Sequence, residues 1–272
     1  MVRSLWSAAT GMNAQQTNVD TIANNLANVN SAGYKAQNAQ FKSLLYQTLQ
    51  TKTTTANGDP KPTTSQVGLG VRTSSINNIF TQGSLLESES DTAFAIAGDG
   101  FFAVRGNDGL TYYTRNGDFT WAIAANGGMA LTNHDGLPVL NTEGRAIVLD
   151  RSYIANRLSV SQDGEVCYPD ENNNAQPIGI SIGLFQFNNA GGLERVGDTL
   201  FARTDASGAP LNEATNGDVL PSKVIQGYLE GSNVSVADEM VNLIVAQRAY
   251  EMNSKAITTS DSMMDTANNL KR

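Results

Sequence analysis

Apolar residues recur every seven positions near both ends of the chain, and that spacing constrains the fold more than any other feature. Between Ser4 and Val29 the series is Leu5, Met12, Val19 and Leu26, with a second seam of Ala8, Gln15, Ile22 and Val29 three residues on. Seven residues make nearly two helical turns, so each seam stays on one helix face and Gln15 is the single polar interruption. Asn30, Ser31 and Gly33 supply the stop, with Gly33 expected as a left-handed cap. Toward the other end Val236, Leu243, Tyr250, Ile257 and Met264 keep the same spacing. Ser235 with Asp238 reads as a capping box, and Lys271 and Arg272 suit the negative end of the helix dipole. At about 1.5 Å per residue each end would run roughly 40–50 Å. Two stripes about 200 residues apart most simply seal against each other, which predicts an antiparallel coiled-coil stalk.

The middle of the chain has a different texture. Pro60, Pro62 and the threonines of "TKTTTANGDPKPTTSQ" mark an extended segment. Beyond it, short strand-like runs are bounded by glycine turns, as in "AFAIAGDGFFAVRGNDGLTYYTRNGDFTW" and "ISIGLFQFNNAGGLERVG". The expected fold class is α+β: a terminal assembly domain from 1–30 plus 235–272, a connecting segment over 31–70, and a β-rich domain over 71–234.

Composition excludes several classes of function. The net charge is −8 with a pI near 4.7, which gives no electrostatic footprint for nucleic acid and repels anionic lipid. Cys167 is the lone cysteine and His134 the lone histidine, so neither a disulfide nor a cysteine- or histidine-centred metal site can be assembled. The paired glycines of "AGDGFF" and "GLGV" lie outside any strand–loop–helix unit, and hairpin turns explain them better than a phosphate cradle. Glu87, Glu89 and Asp91 read as a solvated loop. No nucleophile, base and orienting acid come together, so neither an enzyme nor a cofactor is expected. "MVRSLWSAATGM" lacks the apolar core of a secretory signal, which predicts a cytosolic protein or one that leaves the cell by a route reading no cleavable signal.

The first helix carries a second clue. Its only charged residues are Arg3 and Asp20, where a helix with one buried face normally shows charge on the other. Small and amide side chains suit a face that touches other helices, because an unpaired charge is costly to bury there. Asn24, Asn25 and Asn28 are therefore candidates for contacts between subunits, since amides both donate and accept. The pattern points to a self-assembling subunit. A secreted β-rich adhesin or phage-tail module with a helical oligomerisation stalk shares this architecture and stays open at this point.

The same residues carry a family resemblance. "SLWSAATGMNAQQTNVDTIANNLANVNSAGYKAQNAQFKSLLYQT", "IAGDGFFAV" with "YTRNGDF", and "GYLEGSNVSVADEMVNLIVAQRAYEMNSKAITTSDSMM" resemble, in order, three motifs of the axial proteins of the bacterial flagellum. Within that family the "LLYQTLQ" to "VGLGV" stretch is more similar to distal rod subunits than to proximal rod or hook subunits. The resemblance implies a hollow helical tube with the paired terminal helices inside and the β domain outside. It implies a drive shaft that carries motor torque to the hook, with the segment from about Ser31 to Val71 bridging neighbours. Its partners would be further copies of itself, proximal rod and hook subunits, the flagellar type III exporter, and a ring bushing where the host has an outer membrane. The rod would then be periplasmic, and no cleaved signal is needed. Phe41 and Leu45 in "FKSLL" match an export-gate motif of the family; a plain hydrophobic anchor explains them equally well.

Overall fold

Both ends of the chain are helical in the computed structural model, which describes residues 3–50, 65–124, 127–150, 152–170, 174–197, 199–217 and 219–270. Helix α1 spans Arg3–Ala27 and α2 spans Val236–Asn269, 25 and 34 residues long. At 1.5 Å per residue those are roughly 37 and 51 Å. Ser235 caps α2, its side chain accepting from the Asp238 N–H, and Asp238 with Glu239 place negative charge in the first turn, where the helix dipole favours it. The expected basic cap, Lys271 and Arg272, lies outside the described residues. After Ala27 the chain turns, with Ser31 N–H donating to Asn28 O, and Gly33 takes the left-handed conformation at φ +68°. A Cβ on Gly33 would sit 2.4 Å from Asn116 N, so glycine is needed for space as well as for angle.

The chain divides into two units. The helical unit comprises Met1–Ala27, Gln37–Asn77 and Ser235–Arg272; the β body comprises Asn28–Ala36 and Asn78–Val234. In the helical unit, strand Gln37–Ser43 pairs with Val71–Asn78, and Tyr46–Gln50 pairs antiparallel with Ser65–Gly68. The Pro-containing stretch between the last two lies outside the described residues.

The body is organised around an antiparallel six-stranded sheet. Its order is Glu194–Gly197, Leu200–Ala202, Thr111–Thr114, Phe101–Arg105, Leu184–Gln186 and Leu211–Asn212. Phe101–Arg105 lies inside the sheet and is covered on both faces, which is why "FFAV" reads as an unbroken apolar run. Phe102 and Val104 join one core with Phe94, Ile96, Phe119, Leu131, Val139 and Ile147. Phe101 and Ala103 join another with Tyr113, Leu140, Leu193 and Phe201. Phe102 meets Phe119 edge-on at 5.2 Å, the geometry that aromatic quadrupoles favour. Strand Phe94–Ala97 pairs with Lys223–Gln226, and Leu85–Glu87 with Tyr228–Glu230, so the last segment of the body closes onto its first. The α+β class read from the sequence holds: two terminal helices and a mostly-β body.

Candidate assembly surface

The seam residues of α1 share one flank. Ala8, Ala14, Thr21, Ile22 and Asn25 are buried, and Leu5, Met12, Val19 and Leu26 are half-buried beside them. Val29 falls past the helix and packs in the body with Tyr34, Ala36 and Val234. On α2 only Ala246 and Ser260 are buried. Leu243 and Ile257 are half-buried, while Val236, Tyr250 and Met264 are exposed. Ser4 Oγ lies 3.4 Å from Ser260 Oγ, a Cβ on Gly11 would lie 2.9 Å from Asn253 Nδ2, and Asn25 Nδ2 donates to Glu239 Oε1 at 3.0 Å. An open groove of about 420 Å³ is lined by Gln16, Val19, Gln247, Tyr250 and Glu251.

Sequence periodicity missed the other flank of α2. Met240, Val241, Ile244, Val245 and Met252 are all more than half exposed, and Met263 continues the apolar surface toward the end of the helix. Contiguous apolar area of this kind marks an interaction surface.

The three asparagines have different surroundings. Asn24 is exposed, and Asn28 is half-buried and accepts from Ser31 Oγ at 3.2 Å. Asn25 is 1% exposed and committed within the chain. Its Nδ2 donates to Gln37 O and its Oδ1 accepts from Gln37 N–H, both at 2.8 Å, so one side chain pairs with a strand backbone as another strand would. Adding the bond to Glu239, this amide ties α1, the first strand and α2 together. A carboxylate there would lack the donors.

Phe41 is half-buried on the first strand, and Leu45 is 82% exposed. Tyr46 and Leu49 extend that exposed apolar surface along the following hairpin. Where the hairpin returns, Gly70 adopts φ +114°, and a Cβ there would come within 2.1 Å of Thr10 Oγ1. Val71 N–H donates to the same hydroxyl at 3.3 Å, so the hairpin base is seated on α1.

The sequence reading also missed a set of buried ionic groups in the body. Lys35, Arg115 and Glu230 lie in the three family-like motifs and form ion pairs at 2.5 Å (Lys35–Glu230) and 3.3 Å (Arg115–Glu230). Burial pulls the Lys35 ammonium below its ordinary range against the attraction of Glu230, and burial lowers Arg115 in the same way. Arg195 stacks over Tyr34 at 4.6 Å and donates to Lys35 O at 2.9 Å. Asn233 accepts from Ala36 N–H and donates to the carbonyls of Ile79 and Thr81. That side chain also belongs to an Asn-Val-Ser sequon, yet its amide is engaged in the fold. Charged residues in the motifs were the available signal, and their charge argued for the surface.

Comparison with known families matches the chain in three places. Residues 5–35 match the family described as flagella basal body rod protein, 95–168 the flagellar hook protein FlgE/F/G D1 domain, and 225–270 the flagellar basal body rod FlgEFG protein C-terminal family. The chain is 42% identical over 274 residues to the flagellar basal-body rod protein FlgG of Borreliella burgdorferi, covering 100% of both chains. It is 41% identical to the FlgG of Agrobacterium fabrum, over 96% of this chain and 97% of that one. Against the FlgG of Buchnera aphidicola subsp. Schizaphis graminum the identity is 39%, over 97% and 98%.

Proposed function

The chain belongs to the flagellar basal-body rod family, and from that premise we propose that it builds the distal rod as a hollow helical drive shaft. It is a structural subunit of the flagellum, not an enzyme. Similarity to rod proteins along the whole chain carries this reading over an adhesin or tail module. Assembly is by repeated head-to-tail contacts that do not close into a ring, which is how identical subunits make a filament.

The terminal helices pair as an antiparallel coiled coil, with Leu5, Met12, Val19, Ile22 and Leu26 facing Leu243, Tyr250, Ile257 and their neighbours. Three contacts support it: residues early in α1 (Ser4, Gly11) meet residues late in α2 (Ser260, Asn253), and the late Asn25 meets the early Glu239. Asn24 and Asn28 serve contacts with other subunits. The exposed flank of α2 receives neighbouring copies, and proximal rod and hook subunits adjoin the two ends of the shaft. Phe41 and Leu45 engage the type III export gate. In a host with an outer membrane, the shaft stands in the periplasm within a ring bushing. Electron microscopy of basal bodies from cells lacking this protein tests the assignment: only the distal shaft is expected to be missing. An intact shaft, or loss of the whole rod, overturns it.

A further inference from the structure

Lys35, Arg115 and Glu230 come from distant segments of the β body, and their side chains are 0%, 1% and 0% exposed. One carboxylate serves both cations. Glu230 Oε1 accepts from Lys35 Nζ at 2.5 Å and from Gly83 N–H at 3.0 Å, while Oε2 accepts from Arg115 Nη1 at 3.3 Å. The remaining bonds run to neutral carbonyls: Lys35 Nζ to Thr81 O at 2.8 Å and Arg115 Nη2 to Gly98 O at 2.7 Å. Arg115 Nε is buried without a partner, so the site has no spare acceptor. Asp99 attracts both cations and Glu213 attracts Arg115, each less strongly than Glu230 does.

Glu230 arrives late in the chain. It ends the strand that pairs with Leu85–Glu87, and its carbonyl accepts from Gly33 N–H at 2.7 Å. Without it, two buried like charges would keep hydrogen bonds to carbonyls alone, with Asp99 and Glu213 attracting them more weakly than Glu230 does. Arginine cannot shed its proton to escape, and breaking a buried pair by removing one partner costs far more than the pair itself contributes.

We propose that Glu230 is the keystone of the β body: the body closes stably only when this carboxylate docks between Lys35 and Arg115. Folding of the body is then conditional on a chain that is complete through its carboxy-terminal motif, and a shorter length of chain is held open by its own uncompensated cations. The inference rests on the body alone and stands or falls separately from the rod assignment.

Cys167 supplies the readout, because it is the single cysteine and is buried in the body. Its rate of labelling by a thiol reagent under native conditions reports opening of that unit. In the full-length protein Glu230→Gln is expected to raise the rate about 100-fold or more. Adding Lys35→Met should bring it back by roughly tenfold, since one uncompensated charge is removed. The variant carrying Lys35→Met, Arg115→Met and Glu230→Met should approach the unmodified protein, and it decides the matter if Glu230→Gln alone does not fold. Three results each overturn the proposal: Glu230→Gln labelling within about threefold of the unmodified rate, Lys35→Met accelerating it further, or the triple variant as open as Glu230→Gln.

Discussion

Phe101–Val104 in the β body is hidden on both faces of its sheet, while Val241, Ile244, Val245 and Met252 on α2 are each more than half exposed. The two units thus treat the same kind of side chain in opposite ways. Among the described residues the body holds four buried apolar clusters, the two largest rich in aromatic contacts. In the helical unit, two helices totalling well over half a hundred residues bury little beyond Ala8, Ala14, Thr21, Ile22, Asn25, Ala246 and Ser260. Helical stability in proteins comes mostly from tertiary packing, and here much of that packing is absent within one chain. The body hides its core apolar side chains within itself; the α2 flank stays open, to be covered by neighbouring copies in the proposed rod.

The sharpest way to break this contrast is to charge the exposed flank of α2. Val241→Asp with Val245→Asp is expected to abolish polymer in sedimentation and negative-stain images while Cys167 labelling stays unchanged. Polymer of normal length would remove α2's outer flank from the assembly. Next in size, Phe102→Ala should cost the body about 3–5 kcal/mol in urea unfolding, by loss of transfer energy plus an unfilled cavity. A cost below about 1 kcal/mol would mean that the body's core is far looser than its burial indicates. Asn25→Ala should be smaller and local: about 2 kcal/mol less protection of the Gln37 amide in hydrogen exchange, because the half-buried Gln37 N–H and C=O lose their partner. Asn25→Asp should be no better, since it removes both donors and faces Glu239. Smallest of all, Ser235→Ala should cost about 1 kcal/mol at the start of α2, read from exchange at the Asp238 amide.

Much of this organisation is legible in the sequence, for definite reasons. The sevenfold spacing of Leu5 to Leu26 marks a half-buried face of α1, because helical period and side-chain direction are local properties, whereas in the series Val236 to Met264 only Leu243 and Ile257 are half-buried. "FFAV" belongs to the short runs that glycine turns mark as strands. The pairing of Gln37–Ser43 with Val71–Asn78 is not legible, since both strands are mostly polar and carry too few apolar residues to set the register, although burial alternates along Val71–Asn78. Nor is the environment of Lys35, Arg115 and Glu230. Each residue type belongs on the surface by base rate, and only the closing of distant segments supplies the partner. Asn25 reads from the sequence as a candidate contact between subunits because an amide both donates and accepts; in the structure it bonds the Gln37 backbone a short way downstream.

The bonds between Asn25 and Gln37 have a further consequence. Neither an amide side chain nor a backbone peptide gains or loses a proton in the range a bacterium survives. The joint between the first helix and the first strand therefore keeps its two bonds whatever the acidity around it. A bacterium swimming from neutral water into an acidic niche would carry that part of its machinery across without resetting it.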